Sequence, residues 1–262
     1  MRARCRDIEV AWSEWGCGEP LVLVHGLGED RRVWRKVLPW LVLRRRVLAY
    51  DLRGHGETSL GRADGTLRQL GEDLVAFLDA LALGRVDLCG FSLGGVVALQ
   101  VAIDWPDRVR ALLPVATSSR VGRAAVDWYE ERARLADGGL DRLHPVLYRD
   151  TRDQLSGAPG EVDDHWLVRR QATADPRGFA AACRAMIGLH QQPLDPHLRR
   201  IRTRALVISA ERDSFCPPRA GEALAAAIPG ARLEVVAGSG HQILLERPDA
   251  LGALILRFLE PE

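Results

Sequence analysis

The sequence predicts an α/β fold in which a mostly parallel central sheet is covered by helices on both faces. Two observations support this prediction. Short apolar runs that are typical of buried strands alternate along the chain with amphipathic helical patterns, and this alternation indicates a parallel sheet. The 262 residues, 47% of them hydrophobic, are also enough for one large domain with a modest insertion.

The first part of the chain supplies strands and helices in alternation. The predicted strands are the apolar runs 21–24, 47–50, 86–89 and 109–115. Between them, helical patterns run through about residues 33–43 and from Leu93 onward. A further helix is predicted after Thr66, because this residue can cap an apolar helical face that begins at Leu67.

The pattern changes between residues 118 and 199, a stretch called the 118–199 segment below. It is helical and charged without a convincing strand, whereas strands resume at 205–209 and 232–236 before a final helix over 248–259. A helical block between strands of a parallel sheet is typical of a lid over the carboxyl ends of the strands, where α/β sheets bind ligands. We expect a core domain of residues 1–117 and 200–262, with a helical lid of residues 118–199 inserted after the sixth strand.

Composition and charge argue against several classes of function. A net charge of +1 favours neither a nucleic acid nor a membrane surface as a partner. The first residues lack the apolar core of a signal peptide, and no apolar run reaches membrane-spanning length. The five cysteines are an odd number without the C-x-x-C spacing of metal sites. We therefore expect a cytoplasmic protein with free thiols and no metal.

Residues 90–94, Gly-Phe-Ser-Leu-Gly, lie between a short apolar run and an apolar helical segment. Glycines two before and two after the serine suit a sharp strand-to-helix turn, where larger side chains would collide with the strand and the helix. The N–H groups and positive dipole end of the helix then face an anion formed on the acyl partner of the serine. The alternative is a Gly-rich turn with an incidental serine, but this context favours Ser92 as a nucleophile.

A serine nucleophile needs a base within hydrogen-bond reach, and seven histidines compete for that role. Four of them lie in the 118–199 segment, and His25 and His55 lie in glycine-rich turns. Only His241 falls in a loop between the last strand and the last helix, and the chain order Ser, acid, His requires a late histidine. The alternative is a surface loop histidine, but the pattern predicts His241 as the base.

The acid that orients the base is expected at the end of an intervening strand. Residues 205–213 offer Asp213 and, two residues earlier, Glu211. Asp213 lies closer to the helix start at Pro217-Pro218 and is the predicted acid, with a helix-capping role as the alternative. The end of the preceding strand, residues 114–120, contains no carboxylate, which also favours Asp213.

Two backbone N–H groups are expected to hold the oxyanion of the reaction. Leu93 directly follows the nucleophile and supplies one, and Leu27, in the turn over residues 25–28, supplies the other. His25 is expected to hold this turn by hydrogen bonds rather than to carry a proton. The same structural role is expected for three side chains of the next loop: Asp51, Arg53 and His55.

Together these residues resemble the α/β-hydrolase fold family over essentially the whole chain. The matching stretches are His25-Gly26, residues 51–56, residues 90–95, the Asp213 segment and Gly240-His241. Within that fold the chain is similar to the 3-oxoadipate enol-lactonases at residues 27–30 with Trp34, at residues 209–218 and at residues 172–183. It departs from them at His25-Gly26, where many carry Asn-Ser, and over much of residues 118–166. The resemblance implies hydrolysis of an ester or a lactone without a cofactor.

The 118–199 segment carries aromatic side chains that are candidates to line an apolar acyl pocket. At helical spacing such residues also form the core of a lid, so both interpretations stay open. The candidates for substrate contact are Trp128, Tyr148 and Trp166, together with Tyr129 and Phe179.

Charged and thiol side chains of this region have similar alternatives. Arg184, with Arg169 and Arg170, is a candidate to pair with a substrate carboxylate, although arginines on a lid helix are usually solvated. Cys183 and Cys216 are expected to be small buried hydrophobic residues.

The sequence thus predicts a cofactor-free serine hydrolase that cleaves a small-molecule ester or lactone, such as 3-oxoadipate enol-lactone, through an acyl group on Ser92. No signal for an oligomeric state is present. Two other classes of function stay open. One is a receptor on the same fold that binds or slowly turns over a ligand. The other is a biosynthetic enzyme that performs acyl transfer or cleaves a carbon–carbon bond.

Overall fold

A computed structural model describes residues 1–155 and 157–260 of the chain. The strands are β1 (Arg2–Cys5), β2 (Ile8–Trp15), β3 (Pro20–Val24), β4 (Arg46–Tyr50), β5 (Val86–Phe91), β6 (Val109–Val115), β7 (Arg204–Ala210) and β8 (Arg232–Val236). The α-helices are α1 (Leu38–Leu41), α2 (Leu67–Ala80), α3 (Leu93–Asp104), α4 (Arg123–Asp137), α5 (Leu140–Gln154), α6 (Val162–Ala172), α7 (Pro176–Gln191), α8 (Pro218–Ala227), α9 (Ile243–Glu246) and α10 (Pro248–Leu259). None of the helices in these described ranges is long and apolar enough to cross a bilayer.

The strands form one sheet in the order β1-β2-β4-β3-β5-β6-β7-β8, and the predicted mostly parallel α/β architecture is confirmed. Only the pairs β1–β2 and β2–β4 are antiparallel within the described residues. Because β4 and β5 flank β3 on opposite sides, the direction in which the chain adds strands reverses at β3. The carboxyl ends of β3 and β5 meet at this reversal, which is where open α/β sheets bind ligands.

Helices cover both faces of the sheet because successive side chains of each buried strand point to opposite sides. Val22 of β3 belongs to the apolar cluster that contains Phe77 of α2 and Val97 of α3. Its neighbour Leu23 belongs to a second cluster with Ile255 of α10. All five side chains are fully buried, and burial of each contributes about 1.5–3 kcal/mol to the free energy of folding.

Most predicted elements lie where the sequence placed them. The Thr66 side chain accepts a hydrogen bond from Gln69 N–H over 3.2 Å, so the predicted cap of α2 is confirmed. The single helix predicted over residues 33–43 is wrong, because the structure has a 3-10 helix over Arg31–Lys36 and then the short α1. Pro39 has no N–H to donate to the carbonyl four residues before it, so one continuous α-helix cannot pass through this position.

The 118–199 segment contains α4 to α7 and connects two strands that are neighbours in the sheet. It follows β6 and precedes β7, and these strands pair directly, with Val115 opposite Ile208. Within the segment, Leu143 and Leu147 of α5 pack with Phe179 and Cys183 of α7 in an apolar cluster of its own. The sheet is therefore continuous across the insertion point.

Candidate active site

Ser92 lies at the turn between β5 and α3, in a backbone conformation that residues other than glycine rarely adopt. Its φ and ψ are 52° and −118°, and such a conformation costs about 1–3 kcal/mol. Ser92 N–H donates to Val115 O over 2.9 Å, and Ser92 O accepts from Thr117 Oγ1 over 2.7 Å. The strained turn is therefore held in place by residues of and after β6.

The glycines on either side of Ser92 are required by close backbone contacts. A Cβ on Gly90 would lie 2.2 Å from Gly94 O, and a Cβ on Gly94 would lie 2.3 Å from Val24 O. Both distances are far below a van der Waals contact. The expected collision is confirmed, with one difference: Gly90 faces the outgoing helix, whereas Gly94 faces the end of β3.

His241 joins Ser92 to Asp213 through two hydrogen bonds. Its Nε2 lies 3.1 Å from Ser92 Oγ, and its Nδ1 lies 2.8 Å from Asp213 Oδ2. His241 and Asp213 are buried, while Ser92 remains partly exposed. Because Nδ1–H donates to the carboxylate, Nε2 is free to accept the proton of the serine hydroxyl.

The Asp213 carboxylate is itself held by the chain that follows it. Its Oδ1 accepts hydrogen bonds from the N–H groups of Phe215 and Cys216, each over 2.8 Å. Glu211, the other candidate acid, accepts from Gly238 N–H over 2.8 Å and does not contact His241. The structure therefore brings Asp213, rather than Glu211, to the histidine.

The turn over residues 25–28 lies beside the start of α3, since a Cβ on Gly94 would also meet His25 O at 2.5 Å. The amide N–H groups of Leu27 and Leu93 have no acceptor within the described part of the chain. His25 Nε2 accepts from Leu52 N–H over 2.8 Å, so its Nδ1 carries the proton and donates to Gly26 O over 2.8 Å. The structural role expected of His25 is confirmed, since it fixes the peptide group that carries the Leu27 N–H.

The loop after β4 is fixed by the side chains that the sequence selected. Asp51 accepts from Arg31 N–H over 2.8 Å and from Glu57 N–H over 3.0 Å. Arg53 donates to both carboxylate oxygens of Asp73 over 2.7 Å. Asp51 and Arg53 therefore hold the backbone of this loop, as expected.

The predicted pocket residue Trp128 approaches His241 through an intervening ring, that of Phe215. The ring of Phe215 lies 5.3 Å from the His241 ring, and the Trp128 ring lies 6.3 Å from Phe215. Trp128 also packs edge-on against Tyr129 at 5.0 Å. Sequence reasoning missed Phe215, although it lies two residues after Asp213 within a stretch already singled out.

The other predicted aromatic residues form a separate cluster. The Tyr148 and Trp166 rings are 5.5 Å apart, and Tyr148 Oη donates to Asp163 over 3.1 Å. Among the described residues, neither side chain has a ring contact or hydrogen bond with Ser92 or His241. These half-buried side chains therefore pack α5 against α6 rather than line the site around Ser92.

The predicted arginine contact is not brought to the site. Half of the Arg184 side chain is exposed, and its guanidinium pairs with Asp137 at 2.5 Å. Arg170 lines a separate cavity of about 540 Å³ between α5 and α6, together with His144. Phe179 is fully buried, and Arg169 is buried against the turn over residues 25–28.

The two thiols named by the sequence are unsuited to nucleophilic chemistry. Cys183 is buried as expected, and burial raises its pKa far above its usual value. Cys216 is half-buried rather than buried, because it lies in the loop after Asp213, and its partial burial and the Asp213 charge raise its pKa. No group of three or more His, Cys, Asp or Glu side chains with metal-site geometry occurs in the described ranges.

Comparisons with known proteins agree with this architecture. A family model described as the alpha/beta hydrolase family matches residues 21–254. The chain is 27% identical to 3-oxoadipate enol-lactonase 2 of Acinetobacter baylyi, covering 94% of this chain and 91% of the relative. It is 30% identical to 2-hydroxy-6-oxo-2,4-heptadienoate hydrolase of Pseudomonas putida, covering 97% and 94%. The crystal structure of an enol-lactonase from Burkholderia xenovorans superposes with a TM-score of 0.89 at 28% identity, over 99% of each chain.

Proposed function

Because the chain belongs to the alpha/beta hydrolase family, we propose that it is a serine hydrolase that cleaves a carboxylic ester or a lactone without a cofactor. The observation that carries this proposal is the series Ser92 Oγ, His241 and Asp213, joined over 3.1 Å and 2.8 Å. A hydroxyl is a weak nucleophile until a base takes its proton, and here a buried carboxylate orients that base.

In the proposed first step, Ser92 Oγ attacks the substrate carbonyl while His241 Nε2 takes the hydroxyl proton. Negative charge develops on the carbonyl oxygen, where the amides of Leu93 and Leu27 donate hydrogen bonds. The carbon–oxygen bond of the ester then breaks, and His241 returns its proton to the leaving oxygen. The acyl group stays on Ser92, and in a lactone the leaving hydroxyl stays attached to it.

In the proposed second step, water attacks the acyl group. His241 takes a proton from the water and delivers it to Ser92 Oγ as the bond between that oxygen and the acyl carbon breaks. The carboxylic acid is released, and the free serine is restored. Asp213 keeps the imidazole in the required tautomer and stabilises its charged form in both steps.

The relatives named as 3-oxoadipate enol-lactonases support that lactone as the specific substrate. Such a substrate carries a carboxylate, which requires a cation near the site. Arg184 is paired with Asp137, and the donors of Arg169 already face protein oxygens. Turnover of lactones with and without a carboxylate therefore tests whether 3-oxoadipate enol-lactone is the substrate.

We also propose that the 118–199 segment acts as a lid over a core of residues 1–117 and 200–262. The support is the position of Trp128 on α4, next to the Phe215 ring that packs on His241. The five unpaired cysteines support a reducing compartment, such as the cytoplasm, as the location.

A second candidate is hydrolysis of an unsaturated oxo acid rather than of an ester. The Pseudomonas putida relative is named as a hydrolase of such a compound. The same serine, histidine and aspartate also suit attack on a ketone carbonyl. The two candidate reactions are therefore distinguished by their products and not by the geometry of the site.

The test is turnover of p-nitrophenyl butyrate and of a lactone panel by the protein and its Ser92→Ala variant. We expect the variant to lose at least about a thousandfold in kcat and to escape labelling by a fluorophosphonate. Ser59→Ala, an exposed serine outside the site, is the matched control. Retained turnover in Ser92→Ala contradicts the proposal, and a single burst without turnover in the unmodified protein indicates a receptor. Oxo-acid cleavage without ester or lactone turnover favours the second candidate.

A further inference from the structure

A buried polar cluster lies directly behind the proposed oxyanion hole. Glu29, Gln154, His165, Arg169 and Gln242 are each at least nine-tenths buried, and they come from three distant parts of the chain. Large polar side chains are rarely buried in such number unless their hydrogen bonds fix a specific arrangement.

Arg169 links the 118–199 segment to the turn that carries Leu27. It projects from α6, and its guanidinium donates to Leu27 O over 3.3 Å and to Gly28 O over 3.4 Å. The remaining donors reach Thr151 Oγ1 over 3.1 Å and Gln154 Oε1 over 3.0 Å on α5. One side chain therefore binds both α5 and the backbone of the turn.

Glu29 holds the same turn from its other end. Its Oε2 accepts from Gly26 N–H over 3.1 Å, and its Oε1 accepts from Gln242 Nε2 over 2.6 Å. Gln242 directly follows His241 in the chain. The cluster therefore touches the backbone on both sides of Leu27 and the residue next to the catalytic histidine.

The charges of this cluster balance within it. Burial opposes the charge of Glu29, but hydrogen bonds with His165 and Gln242 and the positive charge of Arg169 outweigh burial and lower its pKa. Burial also lowers the pKa of His165, so this imidazole is neutral at neutral pH. The guanidinium of an arginine stays protonated in proteins. Arg169 is thus the cation of this cluster whose charge favours ionised Glu29, although the two side chains form no direct ion pair. Glu29 keeps its hydrogen bonds from Gly26 and Gln242 when Arg169 is replaced.

We propose that Arg169 is a positioning residue for the oxyanion hole, through which docking of the 118–199 segment orients the Leu27 N–H group. Glu29 holds the peptide group between His25 and Gly26. His25 holds the Gly26–Leu27 peptide group, and Arg169 holds the Leu27–Gly28 peptide group. With both peptide planes fixed, φ and ψ of Leu27 have no freedom, and its N–H keeps one direction. The inference rests on the proposed serine hydrolase function.

The test compares Arg169→Met with Arg169→Lys and with Val168→Ala, a buried apolar truncation on the same helix. Because a misplaced oxyanion donor stabilises the transition state poorly, we expect Arg169→Met to lower kcat about 10- to 100-fold with KM changed less than about 3-fold. Binding of a trifluoromethyl ketone, which forms a tetrahedral oxyanion on the serine, is expected to weaken by the same factor. Arg169→Lys keeps the charge and is expected to recover part of the loss.

A second readout does not depend on activity. Amide hydrogen exchange in a peptide covering residues 25–30 is expected to accelerate in Arg169→Met and to stay unchanged in Val168→Ala. A merely structural arginine predicts instead that both variants lose kcat in proportion to their loss of Tm, and that result overturns the inference. Unchanged kcat and unchanged hydrogen exchange in Arg169→Met also overturn the inference. If Arg169→Met does not fold, the same two measurements are made on Arg169→Lys. Absence of Ser92 labelling in the unmodified protein instead contradicts the proposed function itself.

Discussion

Gly178 of α7 lies backbone to backbone against Gly54 of the loop after β4. A Cβ on Gly178 would lie 2.0 Å from Gly54 O. This contact joins the 118–199 segment to a loop that Asp51 and Arg53 hold in place. Because this loop is held in place, α7 can pack directly against it only when residue 178 has no side chain.

Gly178→Ala is therefore expected to lower the free energy of unfolding by about 1–3 kcal/mol, because the two backbones must separate. Gly188→Ala on the same helix is the matched control, since an added Cβ there meets no atom within 4 Å. The control is expected to be neutral or to stabilise by up to about 1 kcal/mol. Urea denaturation measures both, and equal changes in the two variants contradict the prediction.

Asp213→Asn is expected to reduce kcat by about a thousandfold or more while the protein remains folded. The amide can no longer accept from His241 Nδ1–H as a carboxylate does, and the histidine loses the tautomer that the reaction needs. Glu211→Gln tests the other candidate acid and is expected to change kcat by less than about 5-fold, because Glu211 contacts Gly238 instead. Steady-state kinetics on one ester measures kcat for both variants. A larger loss of kcat in Glu211→Gln than in Asp213→Asn would assign the acid to Glu211.

Acid sensitivity of the fold is expected to depend on His55. Burial lowers the pKa of His55 to about 4 in the folded protein, whereas an unfolded histidine has a pKa of about 6.5. Below about pH 6.5 the unfolded state therefore binds a proton that the folded state does not, so stability falls as the pH falls.

Between pH 7 and pH 5 this single group accounts for a loss of about 2 kcal/mol in the free energy of unfolding. His55→Gln removes the titrating group and is expected to flatten the pH dependence by that amount, whatever its stability at pH 7. His197→Gln, at an exposed histidine, should keep the slope of the unmodified protein. Urea titrations at both pH values measure the slopes, and an unchanged slope in His55→Gln would falsify the assignment.

Two of the predicted substrate contacts are expected to differ in effect. Trp128→Ala should raise KM for a phenyl ester about 3- to 10-fold, because it removes an aromatic wall next to Phe215. Arg184→Ala should leave KM within about 2-fold, since its guanidinium is exposed and paired with Asp137. Initial rates on a phenyl ester and an ester with a free carboxylate measure both variants. A carboxylate-specific loss in Arg184→Ala contradicts this placement.

The sequence predicted the residues of the candidate site because each of them follows a recognisable strand. Ser92, Asp213 and His241 each follow an apolar run within a few residues, and the parallel sheet brings such ends to one edge. Strands β1 and β2 escaped prediction because charged residues interrupt their apolar pattern, as Arg4 and Glu9 do. β1 lies at the edge of the sheet, and an antiparallel edge strand needs only one buried face, so its apolar run is short.

Contacts between distant parts of the chain had no local signal. Arg169 and Gly28 are 141 residues apart, and nothing in the helical pattern around Arg169 separates it from Arg170 or Arg184. Burial against a backbone carbonyl distinguishes these arginines, and burial depends on how α6 packs. The contacts of Gln242 and Glu29 were missed for the same reason, although Gln242 follows His241 and Glu29 lies within residues 27–30, which the sequence had singled out.

The direct pairing of β6 with β7 separates the proposed catalytic residues from the segment that we propose as a lid. Because the sheet closes behind the 118–199 segment, that segment can change length or sequence without altering the register that sets Ser92 beside His241. Arg169 limits this freedom, since a replacement segment without an equivalent donor would leave the Leu27 carbonyl without its partner. Under the proposed lid role, exchange of this segment is therefore expected to change substrate preference only when the new segment still donates to that carbonyl.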